Sequence, residues 1–75
     1  MNLKVYRCSF KSEESCCFVA APSRGQAKTL FFNEHPNAGK WNDIRCTVMA
    51  YIPNNIPITP RCITATDPLL KQLGL

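Results

Sequence analysis

No stretch of this chain approaches the ~20 consecutive apolar residues that a membrane-spanning helix needs, so contact with a membrane is not expected. No two cysteines stand at the C-x(2–4)-C spacing usual for zinc, and no metal site is expected. Histidine occurs once, as His35, which leaves a Cys–His pair without a third orienting group nearby in sequence. The phosphate-loop pattern is missing too. Gly39-Lys40 lacks the upstream glycine, and Trp41 stands where a Ser or Thr would hold magnesium. The basic residues, scattered from Lys4 to Lys71, never form a run of three. No internal repeat is present. No catalytic residue or cofactor is expected.

What is there describes one small domain. A chain of 75 residues buries only roughly 60% of its extended surface, so its core is marginal without staples or oligomerisation. An apolar fraction of 45% with 19% charged residues is ordinary for a folded protein. The net charge of +4 permits an acidic partner or nucleic acid without demanding either. Cysteines stand at positions 8, 16, 17, 46 and 62, an odd number. The first residues run straight into a strand pattern with no signal-peptide core. A cytoplasmic location with free, packed thiols is therefore expected.

Residues 3–10 read as a strand with apolar side chains on both faces, which suits a central position. Residues 11–15 are a polar break of hairpin length, and 16–21 form a short apolar second strand. Ser23 followed by Gln26 is a capping pair, and Ala27, Leu30 and Phe31 make an apolar stripe on a helix running to about His35 before Pro36. Residues 37–42 form a loop. The cleanest alternation lies in 43–52: Ile44, Cys46, Val48, Ala50 and Ile52 are expected to face the helix. Arg45, Thr47, Met49 and Tyr51 then face water, the tail or a partner. Three prolines within 53–60 mark a turn-rich connection, residues 61–66 read as a short strand, and Asp67-Pro68 caps a final short helix.

The pieces assemble as an α+β ββαβ fold. The first two strands make a hairpin, and the helix carries the chain back to pair strand three with strand one. The expected sheet is three-stranded and mostly antiparallel, in the order 2-1-3, with one helix on one face. Residues 1–52 form this core, and 53–75 form a Pro-rich extension ending in a short helix. That apolar tail either covers the other sheet face or crosses to a neighbouring subunit, so a homodimer is one solution for the open face.

Trp41 is either a cap over the helix end or an anchor for a partner. Arg45, Thr47, Met49 and Tyr51, with Lys4 and Tyr6 nearby, would make a small basic and aromatic platform for single-stranded nucleic acid, unless Met49 and Tyr51 lie under the tail. Cys8 and Cys16 would meet across the hairpin if its centre falls near Glu13.

The segment Ala21-Pro22-Ser23-Arg24-Gly25-Gln26-Ala27, with Val5-Tyr6 before it and Ile44-Arg45-Cys46 after, resembles a loose class of small phage- and prophage-encoded proteins of unknown function. The likeness covers residues 3–52. It implies no catalytic residue, and it implies a binding or accessory role, such as action on a host factor. The expectation is a non-enzymatic protein that binds another protein through Trp41, Lys40, Arg45, Met49 and Tyr51, as a homo-oligomer. The alternative is a small nucleic-acid-binding protein that uses the same sheet face.

Overall fold

The computed structural model describes residues 3–11, 16–35 and 39–75. The chain forms strands β1 (Lys4–Phe10) and β2 (Cys16–Ala21), helix α1 (Arg24–Glu34), a 3-10 turn (Trp41–Asp43), strand β3 (Ile44–Tyr51), strand β4 (Arg61–Ile63) and helix α2 (Pro68–Gln72). The expected hairpin loop over 12–15 and the proline stop at 36 lie outside the described residues.

The class is α+β, as the sequence predicts, but the sheet has four strands in the order β3-β1-β2-β4. Strand three pairs with strand one as expected, and every pairing is antiparallel. The fourth strand comes from the extension, where Arg61, Cys62 and Ile63 pair with Ala20, Val19 and Phe18. The sequence reads 61–66 as a short strand; the observed strand is shorter, Arg61–Ile63, and its pairing with β2 adds it to the expected three-stranded sheet.

Ser23 begins α1 with extended backbone, and its hydroxyl accepts the Gln26 N–H at 3.3 Å. Ala27 and Phe31 are buried beneath the helix, and Leu30 packs half-buried beside them. They close over Tyr6, Cys8 and Phe10 of β1, Val19 and Ala21 of β2, and Ile44 of β3.

The opposite face is covered by this chain's own tail. Leu69 and Leu70 of α2, with Ile63, close over Leu3, Val5, Ala20 and Ile52, and Ile56, Ile58 and Leu73 pack around them. β1 is thus apolar on both sides because it is covered on both sides. α2 is held at both ends. Asp67 accepts the Leu69 N–H at 2.9 Å and takes Arg61 at 3.0 Å, which ties the helix start to β4. At the other end, Gly74 at φ 76° permits the Leu75 N–H to reach the Leu70 carbonyl at 2.8 Å.

Candidate interaction surface

β3 lies at the edge of the sheet and, with eight residues, is its longest strand. Its alternation is not continuous. The register with β1 runs Val5↔Ala50 and then Tyr6↔Val48, so Met49 is the extra residue of a bulge. An inserted residue reverses the facing of everything beyond it. Ile44, Cys46 and Val48 share the helix face, whereas Ala50 and Ile52 lie on the tail face. The expectation that all five face the helix is therefore corrected at the bulge.

The same shift separates the expected binding residues. Tyr51 pairs with Lys4 on the helix face, and the Lys4 ammonium lies 5.6 Å from its ring centre. Arg45 pairs with Ser9 on the opposite face, next to the Arg7↔Thr47 pair. Tyr6 is buried in the core under α1. The basic and aromatic platform is thus divided between two faces. Met49 and Tyr51 do not lie under the tail either, being 40% and 70% exposed.

Trp41 opens the 3-10 turn, and its carbonyl accepts the Ile44 N–H where β3 begins. Its ring meets Phe32 edge-on at 5.9 Å, and the Lys28 ammonium sits 4.9 Å from its centre. Trp41 is both a partial cover for α1 and an exposed side chain at the head of β3. Lys40 is exposed just before it. Trp41, Val48, Met49 and Tyr51 are the exposed large apolar residues of the turn and β3. Val48 escaped the sequence reading because its alternation places it inward. Only its place on an edge strand, beyond the cover of α1, brings it into solvent. Near the far end of β3, Tyr51 and Lys4 line a shallow groove of about 400 Å³ with Leu3, Pro22, Ile52, Pro53 and Asn54.

The cysteines are brought together more than their spacing suggests. Cys8 pairs with Cys17 on β2 and with Cys46 on β3, and Cys62 joins the same core from β4. Cys8 does not meet Cys16. Cys16 lies opposite Ser9 on the other face, where the Arg7 Nε–H donates to its sulfur at 3.1 Å. Cys17 Sγ stands 4.0 Å from Nε2 of His35, a proximity the sequence did not reveal. His35 Nδ1 is 3.1 Å from the Phe31 carbonyl, which can only accept, so Nδ1 carries the proton. Burial pushes the Cys17 thiol up, with Cys16 and Glu34 adding to the shift, so it favours the protonated, poorly nucleophilic form. Among the described residues, no three His, Cys, Asp or Glu side chains gather as a metal site would require.

No helix among the described residues is long and apolar enough to cross a membrane. Compared with known proteins, the chain matches no family model, no curated protein and no solved structure.

Proposed function

We propose that this is a non-enzymatic binding protein that works through protein–protein contact along the β3 edge, with a second copy of the chain as its partner. The observation that supports this reading is the open edge of an eight-residue strand bordered by Val48, Met49 and Tyr51 in solvent. The Lys11 N–H donates to the Asp43 carbonyl, so residues 43, 45 and 47 direct their backbone groups to β1. By alternation, Cys46 and Val48 direct theirs outward, ready to pair with another strand. Antiparallel pairing of β3 with β3 is self-complementary about a two-fold axis and needs no third component.

Sedimentation of the wild-type protein beside Val48→Lys tests the reading. The wild type sediments as a dimer and the variant as a folded monomer, because a charged edge residue blocks strand addition. A wild type that stays monomeric across the concentration range overturns it.

A second reading rests on Arg7 and Arg45, exposed diagonal neighbours on the part of the tail face that α2 leaves open. Two guanidinium groups there, with Lys11 nearby, suit nucleic-acid phosphates. Such binding weakens steeply as salt rises.

A further inference from the structure

We propose that Cys8 and Cys46 are a dithiol modification site that closes to a cross-strand disulfide when the protein meets a low-molecular-weight disulfide. The two residues are direct partners in the β1–β3 register, and their sulfur atoms are 2.7 Å apart. Because the Lys11 N–H bonds to Asp43, the alternation makes the 8/46 pair a non-hydrogen-bonded one. Such pairs hold their Cα atoms about 4.5 Å apart. That lies within the roughly 4.4–6.8 Å that a disulfide spans. Cys8 directs its own backbone groups the other way, towards Cys17, the hydrogen-bonded and wider partner at about 5.5 Å. Both separations lie within reach of a disulfide, and the 2.7 Å approach of the sulfur atoms is what selects Cys46 over Cys17.

The two thiols have different roles. Cys8 is fully buried, whereas Cys46 is half-buried on the edge strand and reachable from solvent. A hydrogen bond joins the two thiols, and the Lys28 and Arg24 cations lie near enough to favour a thiolate at Cys46, so the Cys46 thiol is lowered despite its burial. That hydrogen bond and its own burial raise the Cys8 thiol. Cys46 is then the attacking thiol and Cys8 the resolving one.

The reaction balances as thiol–disulfide exchange. Cys46 loses its proton to solvent, and its sulfur attacks one sulfur of the small disulfide. A mixed disulfide forms, and the first small thiolate leaves and is protonated. Cys8 then loses its proton and attacks Cys46 Sγ, which breaks the mixed disulfide and expels the second small thiolate. Two protein thiols are oxidised and one small disulfide is reduced to two thiols. The bond ties edge strand β3 to central strand β1 at the middle of their ladder. The site lies on the helix face and does not depend on pairing between β3 edges.

The test is oxidation of the reduced, folded protein with glutathione disulfide, followed by alkylation of the remaining thiols, tryptic cleavage and mass spectrometry. Cleavage isolates Cys8 in the peptide 8–11 and Cys46 in the peptide 46–61, each with a single cysteine. The expected product joins these two peptides, with Cys16, Cys17 and Cys62 alkylated. Cys8→Ser is expected to stop at a glutathione adduct on Cys46. Cys46→Ser is expected to leave Cys8 unmodified. Recovery of all five thiols alkylated, or a predominant link between Cys8 and Cys17, overturns the proposal.

Discussion

Gly39 lies against the ring of Phe10, and a methyl group there would sit 2.6 Å from Cδ1 and 2.9 Å from Cε1. Phe10 cannot swing aside. It is 2% exposed, and its ring centre lies 5.2 Å from that of Phe31. Gly39→Ala is expected to destabilise the fold by about 1–3 kcal/mol, the usual cost of overpacking a filled core. For a domain of this size that lowers the melting temperature by roughly 10 °C. Gly25 is the control, since a methyl there meets nothing within 4 Å on an exposed helix turn. Gly25→Ala is expected to raise the melting temperature, because alanine favours the helix. Equal behaviour of the two variants in thermal melts would contradict the packing assigned to Gly39. Trp41 is the other informative residue. Its contacts with Phe32 and Lys28 are one-sided, so Trp41→Ala is expected to cost only about 1 kcal/mol. The same substitution is expected to weaken self-association measured by sedimentation. A collapse in melting temperature would instead make Trp41 a core residue.

At the scale of the element, α2 shows how a five-residue helix is held in place. Its isolated stability is negligible, and packing and capping supply the rest. The hydrogen bond from the Leu69 N–H, and then the Arg61 guanidinium, hold the Asp67 carboxyl below its ordinary value of 3.8. A carboxylate with a depressed folded pKa stabilises the fold above its unfolded pKa and loses that effect as pH falls through the folded value. Asp67→Asn keeps a capping oxygen and removes the charge. Its melting temperature is expected to lie below that of the wild type near neutral pH, with the gap closing under about pH 4. Melts across that pH range check this, and a constant gap would assign Asp67 no electrostatic role.

The elements differ in how legible they were. The capping Ser23, the stripe Ala27, Leu30 and Phe31, and the Asp67-Pro68 start depend on neighbours in sequence, and each was readable from spacing alone. β1 was readable as central because both its faces are apolar. The Met49 bulge was not, because an extra residue is a property of the pairing and leaves the alternation of Ile44 to Ile52 intact. β4 was legible as a short strand within 61–66, but its place in the sheet was not, because its pairing with the edge of β2 is a property of the tertiary fold. The site suffered most from the bulge, which carried Tyr51 and Arg45 to opposite faces. The cysteines followed the same rule. The inward facing of Cys8 and Cys46 was legible, but their direct opposition depends on register.

For the whole molecule, one four-stranded sheet is covered by α1 on one face and by the chain's own tail on the other. The tail thus does in cis what a neighbouring subunit would otherwise do, and the proposed self-association rests on an open edge rather than an open face. β2 is covered on its outer side by β4, whereas among the described residues β3 has no such neighbour. The molecule is asymmetric in this respect, and among the described residues four of the five exposed large apolar side chains, all but Leu75, gather on the turn and β3. The most direct measurement is the solution mass by light scattering at two salt concentrations, with and without mixed oligonucleotides. The account predicts a dimer whose mass is the same at both salts and unchanged by nucleic acid. A monomer that gains mass only with oligonucleotide at low salt would contradict it and shift the function to the Arg7 and Arg45 face.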